Sequence, residues 1–254
     1  MEFVNADDIA VLLDVVDDPL WANRNVTGTF RHDWDESNFP FDRHTRTNEL
    51  EEGVEDVRRF VYDPDLANSR VDPELFLPGW RMTDATLAGS TETYDTTFGD
   101  LDLPTGGSSE YSRLTLWIDL VRTDLSGFFK LTSIGYAAFI FSLITYVMRM
   151  DTTTGISQRM GLLAIALVSA AVNLVNASDD LGTVSGMTLV DKIHVTVLVS
   201  ILVAAIVTVV SQMLLERGWA AADVTRLNYR AGATAAISFV AINALYIVGA
   251  VRGG

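Results

Sequence analysis

The stretch that decides the fold reads Tyr111-Ser-Arg-Leu-Thr-Leu-Trp-Ile-Asp-Leu-Val-Arg122 and then, after a short linker, Leu131-Thr-Ser-Ile-Gly-Tyr-Ala-Ala-Phe-Ile-Phe-Ser-Leu-Ile-Thr-Tyr-Val-Met148. In the first part Leu114, Leu116, Ile118 and Leu120 alternate with Thr115, Trp117, Asp119 and Val121, the pattern of a β-strand with one buried face. The second part is 18 residues without a charge, close to the roughly 20 apolar residues with which a helix crosses ~30 Å of hydrocarbon. A strand therefore hands the chain directly to a membrane span. Composition changes at the same place. Of the 254 residues, 1–126 hold 27 acidic and 10 basic side chains, a net of −17, whereas 127–254 hold 6 and 8, a net of +2.

Upstream of the junction, the Thr- and Tyr-rich run Thr91 to Phe98 is expected to pair with Tyr111–Arg122 across the turn cluster Pro104-Thr-Gly-Gly-Ser-Ser109, and Val26 to Phe30 is a further strand. Asp63-Pro-Asp65, Asp72-Pro-Glu74 and Leu77-Pro-Gly79 punctuate the rest. Trp80 and Trp117 are expected to fill a sandwich core. Downstream lie three more uncharged segments, Met160 to Val175, Val195 to Leu215 and Ala231 to Val251. Met160–Val175 is short and, with Ser169, Asn173 and Asn176 on or beside it, suits a bundle that lines water better than a lipid-facing span. The expected organisation is a β + α membrane protein. A β-domain occupies 1–126, and a transmembrane domain occupies 127–254 with helices near 128–149, 157–177, 188–216 and 226–251. Arg149 and Arg159 follow the first span, and Arg217, Arg226 and Arg230 follow the third. The positive-inside rule makes those loops cytoplasmic, which places the N-terminal domain and the C-terminus outside a multi-pass plasma-membrane protein.

Several function classes drop out. A nucleic-acid partner requires a basic footprint, and the strongly charged half has the opposite sign. There is no Cys, so neither disulfides, thiolate catalysis nor Cys-ligated zinc is available. The three histidines, His32, His44 and His194, have no ligand spacing. No nucleophile, base and orienter can be assembled, so neither an enzyme nor a cofactor is expected. His194 reads as a hydrogen-bonded bundle residue rather than a proton sensor.

Four motifs in order resemble one known family. Phe39-Pro-Phe-Asp42 is similar to the core of a signature loop, Tyr111–Arg122 to a last extracellular strand ending in Arg, Gln158-Arg159-Met160 to the charged start of a pore helix, and Met187-Thr-Leu-Val-Asp-Lys192 to the start of a third helix. The chain from about Val26 to Val251 resembles the pentameric ligand-gated ion channels, the Cys-loop receptor superfamily, in its prokaryotic form. The resemblance implies an immunoglobulin-like antiparallel β-sandwich outside the membrane, followed by a four-helix transmembrane bundle. Lipid would surround a homopentamer, and monovalent ions would permeate along the second helix. An unidentified small-molecule or ion agonist would bind at subunit interfaces. It further implies that Phe39, Pro40, Phe41, Asp42 and Arg122 couple the two domains, Asp42 and Arg122 as an ion pair. The agonist stretches are Glu55 to Tyr62 and Gly99 to Tyr111, with Tyr62 and Tyr111 as aromatic walls for a cation or amine. The β part is shorter than the family's, so the sandwich is expected to be incomplete, its N-terminal strands missing through truncation, and Met1 to Asp8 has no signal-peptide pattern.

If the second helix lines a pore, one stripe at helical spacing faces water. One register gives Gly161, Ile165, Val168, Val172, Val175, Asn176 and Asp179; the other gives Met160, Ala164, Leu167, Ala171, Leu174 and Ser178. The polar set Ser169, Asn173, Asn176 and Asp180 lies roughly 85° from the first stripe and about 170° from the second, which favours the first. Apolar rings at Ile165, Val168 and Val172 would gate by dewetting, and Asp179 at the outer mouth would favour cations. Two alternatives stand beside this: α-helical bundle burial for the second helix, its Asn residues bonding to neighbouring spans, and a non-conducting, membrane-anchored β-domain that binds or senses.

Overall fold

A computed structural model describes residues 2–18, 21–72, 74–99, 106–150, 153–181 and 186–253. Parts of the expected Asp72-Pro-Glu74 and Pro104–Ser109 turns, of the Gly99–Tyr111 stretch and of the Asn176–Asp191 loop lie outside these residues. Among these described residues six strands precede four helices: β1 (Glu2–Phe3), β2 (Ala6–Asp18), β3 (Trp21–Phe30), β4 (Arg43–Glu51), β5 (Trp80–Tyr94), β6 (Ser109–Arg122), α1 (Ser126–Val147), α2 (Thr153–Leu181), α3 (Leu189–Glu216) and α4 (Ala221–Gly253). The chain divides into two compact units. One comprises Met1–Trp34 and Arg43–Thr123; the other comprises Asp35–Asp42 and Asp124–Gly254.

In the β unit, β6 is the centre of a four-stranded antiparallel sheet ordered β1-β4-β6-β5, and β2 and β3 form a separate antiparallel hairpin. Leu116 lies opposite Asn48 on β4 and Leu87 on β5, with Ile118 opposite Arg46 and Ala85. The β5–β6 pairing slips once, between Met82 and Asp84, the local irregularity by which a long strand bends. Most side chains of β6 are half-buried on both faces, with Ser109, Ser112 and Thr115 its buried members, so the single buried apolar face expected from alternation is not realised. Trp80 is not core either. It sits tilted 5.5 Å from Trp34 and edge-on 5.3 Å from His44, with the Arg122 guanidinium 4.3 Å from its ring centroid, and both Trp80 and Arg122 are half-buried.

The helical unit contains four helices long and apolar enough to cross a membrane, and the chain is on this basis a multi-pass membrane protein. Their ends are written locally. Thr188 caps α3, its Oγ1 accepting from the Asp191 backbone N–H at 3.1 Å while an Asp191 carboxylate oxygen accepts from the Thr188 N–H at 2.9 Å, a reciprocal capping box. The helix stops at Gly218, whose φ of +87° suits glycine. There the Gly218 N–H donates to Leu215 and the Trp219 N–H to Leu214, which satisfies the last carbonyls. Within the apolar helices Thr132, Ser142, Thr145 and Thr208 donate back to carbonyls three or four residues earlier, which satisfies these four hydroxyls away from water; the buried Tyr146 hydroxyl has no hydrogen-bond partner among the described residues.

Two buried clusters hold the helices together. One lies midway along the bundle and includes Phe139, Tyr146, Leu163, Ala166, Ala170, Ile201 and Phe239, with Phe139 and Phe239 stacked at 3.7 Å. The other gathers Phe39, Phe128, Ala177, Leu189, Val190, Ile193 and Ala250. The Asp35–Asp42 segment, expected in the β-domain, is thus part of the helical unit's core: Phe39 is 5% exposed, and the Leu189 N–H donates to the Ser37 carbonyl at 3.1 Å. An apolar Phe-Pro-Phe run has more surface to bury against helix ends than a strand edge offers.

At Gly232 on α4, an added Cβ would lie 2.9 Å from Cβ of Tyr146 on α1, so the two helices approach as only glycine allows. Gly232→Ala is expected to destabilise the bundle by about 1–3 kcal/mol, read as a lower thermal midpoint of the detergent-solubilised protein. Gly249→Ala, where an added Cβ meets nothing within 4 Å, should leave the midpoint unchanged.

Candidate functional site

Three sets of residues carry chemistry, one in the β unit and two in the helical unit. In the β unit, pairing of β5 with β6 places Tyr111 opposite Glu92 and puts Tyr94 diagonally across from Tyr111, on one face of the sheet. Their ring centroids are 6.0 Å apart, and Phe98 stands 5.3 Å from Tyr94 and 6.0 Å from Tyr111, all edge-on. These rings, with Glu2, Val4, Glu51, Glu52 and Gly53, line a pocket of about 360 Å³. Behind it Arg113 donates to Glu51 at 2.8 and 2.9 Å and to Glu49 at 3.3 Å, and lies 3.4 Å from Glu92. The Tyr94 hydroxyl donates to Glu51 at 2.9 Å. One guanidinium facing three carboxylates leaves the cluster net negative, so the pocket combines π faces with excess negative charge, a setting that favours an organic cation.

Of the two tyrosines singled out from sequence, Tyr111 belongs to this pocket and Tyr62 does not. Tyr62 packs edge-on against Phe60 at 4.8 Å, and its backbone N–H donates to Ser112 Oγ at 2.8 Å. It lines a second cavity of about 390 Å³ with Pro64, Leu66 and Leu87. Its hydroxyl has no hydrogen-bond partner among the described residues, and burial, helped by the charge of Glu52, pushes its pKa up to about 12. Tyr94, Phe98, Glu51 and Glu52 were not singled out. The signal for Tyr94 is the hairpin register itself, since a residue two positions beyond the partner of Tyr111 must share its face.

In the helical unit, the packed side of α2 carries Leu163 and several alanines, and its open side carries β-branched residues. Ala166, Ala170 and Ala177 are at most 1% exposed, whereas Ile165, Val168, Val172 and Val175 are 54–64% exposed. Gly161, Asn176 and Asp179 lie on the same exposed side. In the other register, Leu167 and Leu174 are half-buried, while Met160, Ala164, Ala171 and Ser178 are exposed. Asn173, counted with the polar set near the expected stripe, is instead turned inward at 6% exposure, because its amide finds acceptors there. It donates to the Leu131 carbonyl of α1 at 2.7 Å and lies 2.5 Å from Nε2 of His194 on α3.

Arg159, expected at the cytoplasmic boundary, is 2% exposed. Its guanidinium donates to Asn228 Oδ1 of α4 at 2.9 Å and to the Met148 carbonyl after α1, and Asn228 in turn donates to Ser211 Oγ of α3 at 3.0 Å. One long side chain thereby ties α2 to the three other helices. Phe39 and Pro40 are buried and Phe41 is half-buried in the helical unit, where Asp42 is 1% exposed; Arg122 belongs to the β unit. Among the described residues there is no group of His, Cys, Asp or Glu suited to a metal.

No protein-family model matches the chain, and no curated protein matches it at a significant level.

Glu51 is hydrogen-bonded by a largely buried Arg113, whose side chain is 14% exposed, so Glu51→Gln is expected to cost about 1.5–3 kcal/mol, the range for hydrogen bonds to charged groups, measured by thermal unfolding. Tyr62 supplies an alkaline signature. Because its folded pKa stands above the ordinary 10.0, its contribution to stability is complete below that value and lost as pH rises toward about 12. Tyr62→Phe should remove the slowest-titrating phenolate absorbance and flatten that part of the alkaline stability loss.

Proposed function

We propose that this chain is a subunit of a homopentameric ligand-gated ion channel of the Cys-loop type, its β unit outside the plasma membrane as an incomplete immunoglobulin-like sandwich. The observation that carries the reading is the stripe that α2 leaves uncovered: it buries Leu163, Ala166, Ala170 and Ala177 and presents Ile165, Val168 and Val172 outward, with Asn176 and Asp179 exposed at its end. Around a five-fold axis that stripe makes apolar rings able to exclude water and a carboxylate ring at one mouth. An acidic β-domain raises local cation concentration and supports a cation-preferring pore for monovalent ions.

The aromatic and acidic pocket of Tyr94, Phe98 and Tyr111 takes the agonist in this reading, and the Phe39-Pro-Phe-Asp42 loop, with Arg122, transmits its effect. The agonist acts by its differential affinity for resting and conducting packings. A second reading, a membrane-anchored domain that binds an organic cation without conducting, draws on the same pocket, which is formed within the β unit alone.

Two measurements on the purified chain in bilayers separate these. Under a salt gradient the reversal potential is expected to follow the cation, with Asp179→Asn weakening that preference; a potential following the anion contradicts the selectivity. Cysteines replacing Ile165, Val168 and Val172 should react with a water-soluble thiol reagent and reduce current on modification. Absence of current with binding retained leaves only the second reading.

A further inference from the structure

Two stretches of the chain have the Asn-x-Ser/Thr form of an N-glycosylation acceptor, Asn25-Val-Thr27 and Asn176-Ala-Ser178. The pattern is short, so its surroundings decide whether it can be used. Asn25 lies on β3, where exposure alternates: Asn25, Thr27 and Thr29 are exposed, whereas Val26, Gly28 and Phe30 are half-buried. The alternation has a packing cause. Phe30 meets Phe3 edge-on at 5.6 Å, and an added Cβ at Gly28 would stand 3.2 Å from Cγ1 of Ile9, so Phe3 and Ile9 cover that side of the strand. Asn25 and Thr27 share the other, open side. The acceptor amide and the hydroxyl two residues on are thus presented to solvent together, and neither is engaged in a hydrogen bond among the described residues. Asn176 has a different setting, inside α2 and within the Gly155–Asp179 span, where a bulky sugar has no room beside lipid or neighbouring helices.

A second, independent property of β3 gives the acceptor a use. The sheet it belongs to has two strands, β2 and β3, so among the described residues one edge of β3 carries unpaired N–H and C=O groups. The two strands differ in how that edge is blunted. β2 takes 13 residues to span the 10 of β3, and each of the three register shifts adds its extra residue to β2, which kinks β2 and leaves β3 the regular strand. From Ala22 to Phe30 the strand holds one charged residue, Arg24, and no Pro. Beside it Ile9, Val11 and Leu12 of β2 are 39%, 53% and 67% exposed. A regular edge with little charge, no Pro and exposed apolar neighbours pairs with other chains unless something covers it.

We propose that Asn25 is an N-glycosylation site whose glycan covers the open edge of β3. In the transfer step the Asn25 side-chain nitrogen bonds to the anomeric carbon of a lipid-linked oligosaccharide. The bond from that carbon to the lipid phosphate oxygen breaks, the phosphate leaves with the electron pair, and the amide gives one proton to a base of the transferase. Nothing is oxidised or reduced. The attached sugar is bulky and hydrated, and it stands on the face that β3 leaves open, so a strand approaching the edge meets it first. The modification rests on the reading that puts the β unit outside the plasma membrane, the side on which such transferases act.

The test produces the full chain in insect cells, which carry an oligosaccharyltransferase, and reads the purified protein by mass spectrometry. One glycan is expected, on the peptide between Arg24 and Arg31, and an endoglycosidase for asparagine-linked sugars should remove it. Asn25→Gln and Thr27→Ala should abolish it, whereas Thr27→Ser and Asn176→Gln should retain it. Arg70→Thr is the control, because it completes a second acceptor at Asn68, which is exposed in the same unit. Sugar on Asn68 of that variant with none on Asn25 overturns the site, as does sugar on Asn176 in place of Asn25. Sugar on neither Asn68 nor Asn25 overturns the outside placement of the β unit, and the site with it. The wild-type mass decides the site even where a variant folds poorly. Enzymatically deglycosylated protein should self-associate at lower concentration than the glycosylated form, read by light scattering in detergent; equal association overturns the covering role while the site stands.

Discussion

The helical unit depends on one constraint: polar groups placed inside hydrocarbon have no water to turn to and must satisfy each other. Arg159, Asn173, His194, Ser211, Asn228 and Asn243 are all nearly or fully buried, and each is hydrogen-bonded to a neighbouring helix or to its own backbone. Because lipid is as apolar as Leu, burying apolar side chains does little to hold one helix to another in a membrane. The hydrogen bonds and the close contacts, Gly232 on Tyr146 and Phe139 on Phe239, therefore choose which face of each helix turns inward. Everything proposed for α2 follows from that choice. With Ala166, Ala170, Asn173 and Ala177 committed to the interior, Ile165, Val168 and Val172 have nowhere to go but out.

The β unit obeys a different economy. Here water is the solvent, charged side chains are tolerated, and a guanidinium can be shared by three carboxylates at a partly covered surface. Cross-strand pairing sets the outcome: Glu51 lies directly opposite Arg113 and Glu92 opposite Tyr111, so an ion-pair network and an aromatic group are assembled side by side. Part of the negative excess that marks the composition of this half, Glu2, Glu51 and Glu52, lines the pocket. Net charge and local recognition thus have one origin, although salt screens the first far more than the second.

The Phe39-Pro-Phe-Asp42 segment shows what a short motif leaves to its distant partners. By resemblance it reads as a coupling loop within residues 1–126; in the folded chain Phe39 packs on Phe128, Leu189 and Ala250 of the helical unit. Arg159 is a second case. A basic residue at the start of an apolar segment reads as a boundary marker, and only the presence of Asn228, 69 residues away, makes a buried position tolerable. Asn173 likewise looked polar enough to face water until Leu131 and His194 supplied acceptors.

By itself the sequence determined what local pattern can determine. The period of the apolar residues set strand before helix, uninterrupted apolar length set three of the four spans, Thr188 and Asp191 set the start of α3, and Gly218 set its end. These are properties of consecutive residues, and physical chemistry reads them without reference to the rest of the chain. Tertiary structure decided everything that depends on distant partners. Tyr62 and Tyr111 line separate pockets, Asn173 and Arg159 are buried, and Phe39 packs among the helices. A hydrogen bond between residues tens of positions apart leaves no trace in local periodicity, yet in hydrocarbon it is what fixes the rotation of each helix.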